Sequence, residues 1–77
     1  MKRRNIKYLK QFKIIGNNIR TLRMLKKISQ EELAFRIAST RNYIGCIERA
    51  EKFPSICMLL DIASVLECSI NDIFQDA

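Results

Sequence analysis

Seventy-seven residues make one small domain; nearly half are apolar and 29% are charged, with two glycines and a single proline. That composition excludes a disordered tail and a turn-rich β fold, and a net charge of +6 points to an anionic partner. No run approaches the ~18 unbroken apolar residues of a membrane span, and lysines break up the basic start "MKRRNIKYLKQFKII" too often for a secretion signal, so a cytoplasmic location is expected.

The charge divides the chain. Residues 1–27 carry ten Lys or Arg and no acid, whereas residues 28–77 carry four basic residues and all eight acids. The expected organisation is therefore a basic N-terminal arm, residues 1–10, ahead of one domain, residues 11–77. Charge alone leaves nucleic acid, an anionic membrane and a merely solvated tail all open.

Phe12, Ile15, Ile19 and Leu22 recur at three- and four-residue spacing, which predicts a first helix over about residues 11–26. "SQEE" follows, and Ser29 with Glu32 has the spacing of a capping box, so a short second helix starts there with Leu33, Ala34 and Ile37 inward. Ser39 or Thr40 offers a fresh N-cap. A third helix over about 40–49 then turns Ile44 and Ile47 inward. "AEKFPS" reads as a loop, since proline disfavours helix in its predecessor. A fourth helix, about 55–66, is expected to bury Ile56, Leu59, Leu60, Ala63 and Leu66. Ser69 and Asp72 repeat the capping pattern and start a short fifth helix with Ile70, Ile73 and Phe74. The expected fold class is all-α, a five-helix bundle without repeats.

Three cysteines, Cys46, Cys57 and Cys68, are odd in number, widely spaced and lack any Cys-x-x-Cys pairing, and the chain has no histidine. Free thiols are expected, with no metal and no cofactor. There is no glycine-rich phosphate loop and little volume for a cleft, so an enzyme is a poor reading.

The second and third helices carry the functional signal. A connection of three or four residues forces them to cross steeply, and the third helix then protrudes on its Ile44–Ile47 anchor. Its other side carries Thr40, Arg41, Asn42, Tyr43, Gly45 and Cys46. Donors at the N-terminal end of a protruding helix suit the DNA major groove. Gly45 reads as a gap for close approach to DNA, at some cost in helix propensity.

"SQEELAFRIASTRNYIGCIERAEKFPS", residues 29–55, resembles the helix-turn-helix of lambda-repressor/Cro-like (XRE family) regulators, and the likeness extends from about Ile15 to Phe74. Its most specific parts are Ser-Gln-Glu-Glu-Leu-Ala at 29–34 and Tyr-Ile…Ile-Glu-Arg at 43–49. The resemblance implies a sequence-specific regulator of double-stranded DNA. Gln30 would bind a phosphate and brace the recognition helix, and Thr40 would meet the backbone. Arg41, Asn42 and Cys46 would read base edges, with Tyr43 near the phosphates. Arg23 and Glu48 match the family's structural ion pair.

The family also implies a homodimer on a palindromic operator, through the fourth and fifth helices, with Met58, Ile62 and Val65 as candidate contacts. A small stand-alone repressor or restriction–modification controller is the expected type. A protein-interaction module, such as an antitoxin or antirepressor, is the alternative. Four positions depart from the pattern, among them Cys46, an unusual base reader that donates weakly but could pack on a thymine methyl. Ala38 and Ala50 stand where the family often has glycine in a left-handed conformation, and Phe35 stands where a charged residue is usual. Phe35 is expected simply to cover the domain surface, with contact to a partner as the alternative.

Overall fold

The computed structural model describes residues 7–77. Among them, five helices run in chain order: α1 Leu9–Leu25, α2 Gln30–Arg36, α3 Arg41–Glu48, α4 Ile56–Leu66 and α5 Ile70–Phe74. Much of the expected basic arm lies outside the described residues. α1 starts two residues earlier than its periodicity suggested, so Leu9 and Lys10 belong to the helix.

A short hydroxyl side chain starts each of the last four helices. Ser29 Oγ accepts from the Glu32 N–H at 2.9 Å, Thr40 Oγ1 from Tyr43 at 3.1 Å, Ser55 Oγ from Met58 at 3.1 Å and Ser69 Oγ from Asp72 at 3.2 Å. Each satisfies one of the orphan amides of a first turn. Ser69 completes its box, because Asp72 Oδ2 accepts from the Ser69 N–H at 3.0 Å. Ser29 makes only half of one. The Glu32 carboxylate turns down its own helix and accepts from Arg36 Nε at 2.7 Å, an i,i+4 pair that competes with the cap.

The helix ends follow one plan as well. Lys27, Ala38, Ala50 and Glu67 take φ of 58°, 55°, 61° and 54°. The next amide in each case bonds back five residues: Ile28 to Arg23, Ser39 to Ala34, Glu51 to Cys46 and Cys68 to Ala63. These are Schellman ends, whose left-handed residue is usually glycine. Here none is. Ala38 and Ala50 keep the left-handed conformation that glycine would adopt without strain.

Ile15, Ile19, Leu33, Ile44, Ile47, Leu59, Ile62, Leu66 and Ile73 form the centre of the core, each 3% exposed or less. The inward faces expected of the first three helices are observed. On α4, Leu59, Ala63 and Leu66 are buried as expected, but the other two expected positions are not. Ile56 and Leu60 are 61% and 54% exposed, and Ile62 takes the buried place. The sequence of α4 is apolar almost all round, so periodicity alone could not fix which side faces in. Of the three residues expected to contact a second subunit, Ile62 is fully buried, while Met58 and Val65 pack against the core and stay partly exposed.

Gly16 sets how closely α1 approaches α3. A Cβ there would stand 2.5 Å from the Ile47 carbonyl oxygen and 2.8 Å from that of Glu48. Both obstacles are backbone, so neither can swing aside. A glycine in mid-helix costs about 1 kcal/mol of propensity, and the contact it permits places the end of α3 directly on α1.

Ala38→Gly should therefore stabilise the domain by about 0.5–1 kcal/mol, relieved strain outweighing the added freedom of the unfolded chain. Ala50→Gly should gain less, because the Ala50 methyl is buried at 6% exposure. Chemical denaturation midpoints measure both, and a loss on Ala38→Gly would contradict the strain assignment.

Candidate nucleic-acid interface

Glu48 is the only buried charged residue of the described core, its side chain 2% exposed. Arg23 on α1 reaches it with two bonds, Nε to Oε2 at 2.7 Å and Nη2 to Oε1 at 3.1 Å. Gln30 Nε2, at the start of α2, donates to Oε1 at 3.0 Å. Arg23 Nη1 donates to the Ile28 carbonyl at 2.9 Å, in the turn between those helices. One carboxylate thus joins α1, α2 and the end of α3, and its planar fork with Arg23 fixes angle as well as distance. The expected pair is in place, and Gln30 braces α3 as expected. Gln30 Nε2 keeps a second hydrogen for another acceptor.

α3 stands on this brace. Arg41 and Asn42 are exposed in its first turn. With Gln30, Gly45 and Arg49 they line one open concavity. Thr40 is exposed at the N-cap, where its hydroxyl oxygen is occupied by the Tyr43 amide while its hydrogen stays free to donate. Tyr43 is half-buried on the flank, packed against the core, with Lys52 Nζ 5.9 Å from its ring centre. Of the expected contacts, then, Gln30, Arg41, Asn42 and Gly45 share one surface, Thr40 lies at its edge and Tyr43 beside it.

Cys46 does not join them. It is 8% exposed, with Arg49 Nη2 3.9 Å from its Sγ, and its carbonyl accepts the amides of Glu51 at 2.8 Å and Lys52 at 3.3 Å. Its position on the helix looked outward, but the side chain is buried in the folded chain. Gly45 is corrected too. Its missing side chain leaves no open gap, because Arg49 Nη1 lies 2.9 Å from where a Cβ would be. Phe35 is 80% exposed and covers little of the surface.

Arg49 is the residue that sequence reasoning passed over. Its Nε and Nη2 donate to the two carboxylate oxygens of Glu51 at 3.0 and 3.2 Å, and Nη2 lies 3.9 Å from Cys46 Sγ. Those hydrogen bonds hold the Glu51 carboxyl below the usual carboxylate range, helped by a bond with Cys46. A signal did exist. Positions 41, 45 and 49 are spaced by four, and a glycine in the middle leaves a long side chain room to lie back along the helix.

A braced helix that presents an arginine, an amide and a hydroxyl at its N-terminal end defines a helix-turn-helix DNA-binding domain of the lambda-repressor/Cro type. A family model described as helix-turn-helix matches residues 19–73, and the chain belongs to that family. It is 35% identical over 57 residues to the control protein C.SmaI of Serratia marcescens, covering 74% of this chain and 68% of that protein. It is 35% identical over 60 residues to the uncharacterised HTH-type regulator YazB of Bacillus subtilis (strain 168), covering 78% and 87%. Among solved structures, the restriction-modification controller C.AhdI from Aeromonas hydrophila superposes with a TM-score of 0.82 at 31% identity, over 87% of this chain and 97% of that one. The P22 c2 repressor in complex with a synthetic operator superposes at 0.76 and 28% identity, over 83% and 97%.

Glu48→Ala should cost about 3–5 kcal/mol, since it strands the buried Arg23 guanidinium and frees the Gln30 amide. Replacing both partners, Arg23→Met with Glu48→Leu, should recover most of that loss. Denaturant titration of the three proteins decides it. A double variant as unstable as Glu48→Ala would mean that the fork contributes net stability of its own.

Proposed function

We propose that the chain is a transcriptional regulator that binds double-stranded DNA sequence-specifically, with α3 in the major groove. The observation that carries this reading is the open face of α3, where Arg41 and Asn42 project from a helix braced at its far end by Glu48. An arginine pairs with the O6 and N7 of guanine, and an asparagine with the N6 and N7 of adenine. Gln30 and Thr40 are placed to donate to flanking phosphates, and Tyr43 lies beside them. A compact repressor or a restriction–modification controller fits this design.

The working form is a homodimer on a palindromic operator, with half-sites about 34–36 Å apart. Its contacts are Ile56 and Leu60, which lie one turn apart on the exposed side of α4, together with the partly exposed Met58 and Val65, whereas Ile62 is fully buried.

A titration against duplex DNA at several salt concentrations tests the reading. Affinity should fall steeply with salt as several counterions are released. Arg41→Ala should lose about 1–3 kcal/mol on the cognate site, and much less on random DNA. Equal losses on both would make Arg41 a phosphate contact. No duplex binding at low salt would defeat the proposal and favour the antitoxin or antirepressor alternative, for which the 80% exposed Phe35 is one apolar contact.

Leu60→Asp should convert the dimer to monomers without unfolding it, because the side chain is more than half exposed. Sedimentation equilibrium distinguishes the two states, and an unchanged dimer would place the interface elsewhere.

A further inference from the structure

Arg49 leaves the C-terminal end of α3, yet its guanidinium lies beside Gly45, one turn back. Side chains on a helix lean toward its N-terminus, and the glycine removes what would block this one. At 3.6 residues per turn, positions 41, 42, 45 and 49 fall within an arc of about 100°. Arg49 consequently brings a second guanidinium into the concavity that Arg41 and Asn42 line. Glu51 determines how it lies. The carboxylate takes the Nε–Nη2 edge and Nη2 also donates to Cys46 Sγ at 3.9 Å, which fixes the plane of the group and leaves the Nη1 hydrogens without a partner among the described residues.

We infer that Arg49 is a specificity-determining residue of the α3 face, which recognises the O6/N7 edge of a guanine, and that Glu51 is its positioning residue. This rests on the DNA-binding reading above. An arginine free in solvent would be drawn to any nearby phosphate and carry no sequence information. One held by a carboxylate on one edge presents the other edge in a restricted orientation, which is what a base contact requires. Gly45 is the third part of the device, because any larger side chain there collides with the guanidinium unless it moves.

The test uses a duplex selected by the full chain from a random pool, with 7-deazaguanine placed at each guanine in turn to remove one N7 acceptor. The unmodified protein should lose roughly tenfold in affinity at a guanine whose substitution leaves Arg49→Ala unaffected, while Arg41→Ala still senses it. Glu51→Gln retains the arginine and removes a negative charge. It should lose sensitivity to that same guanine while binding random DNA at least as tightly, a split that a merely structural role would not produce. Both side chains of the pair are exposed, so the variants should keep the unmodified melting temperature.

If every guanine sensitivity survives in Arg49→Ala, or if no guanine is sensed, the proposal is overturned. Equal loss by Arg49→Ala on selected and random DNA would also overturn it and make Arg49 a phosphate contact. Failure of the unmodified chain to bind any duplex at low salt would bring down the DNA-binding reading itself.

Discussion

A single buried carboxylate governs the geometry of this domain. Glu48 sits at the end of α3 and takes bonds from α1 and α2 at once, with Arg23 and Gln30 sharing its oxygens. Burying a carboxylate is costly unless it is paired and hydrogen-bonded, so the arrangement tolerates little deviation. An apolar patch could slide by a few tenths of an ångström and lose little. A bidentate fork cannot, and a protruding helix held by one keeps its orientation as it approaches DNA. What Glu48 contributes is definition of angle more than net stability, which is why removal of one partner and replacement of both are expected to differ so much.

Gly16 and the turn residues extend that constraint through the backbone. Gly16 lets α1 sit on the carbonyls of Ile47 and Glu48, and this contact brings Arg23, two turns further along α1, to the level of the carboxylate. Ala38 and Ala50 bound α3 on both sides in the left-handed conformation. Their strain is tolerated because bonds on each side define the path, Ser39 to Ala34 before the helix and Glu51 to Cys46 after it. The second of these bonds also delivers Glu51 to Arg49. Local helix-end chemistry at Ala50 thus shapes the DNA-facing surface one turn away.

Much of this was legible in the sequence because it rests on local signals. Three hydroxyl caps, at Ser29, Ser39 or Thr40, and Ser69, with the Pro54 turn, marked helix starts to within one or two residues, and Arg23 with Glu48 followed from the family pattern. The failures share one cause: they depended on which side of a helix the rest of the chain covers. α4, "ICMLLDIASVL", is apolar on nearly every face, so Ile56 and Leu60 could not be told from Ile62 by spacing. Cys46 projects outward by periodicity, yet the folded chain buries it, with the Arg49 guanidinium at its sulfur. Gly45 looked like an open gap because the side chain that fills it comes from position 49, beyond the stretch taken for the reading face. Ser29 shows the same limit on a smaller scale, since a carboxylate with two possible partners chose Arg36.

Charge counted along the chain also differs from charge seen in space. The second part of the sequence holds all eight acids, which suggests a surface hostile to a polyanion. Five of them are engaged: Glu48 with Arg23, Glu32 with Arg36, Glu51 with Arg49, Glu67 with Lys26, and Asp72 with the Ser69 amide. On α3 itself Arg41 forms no ion pair among the described residues, and the only acid in that helix is Glu48, buried and neutralised. The exposed start of α3, with Arg41 and Asn42, therefore carries no acid of its own although its half of the sequence is acidic. Pairing in the folded state, which the linear count cannot register, makes an acidic segment fit to hold a helix against DNA.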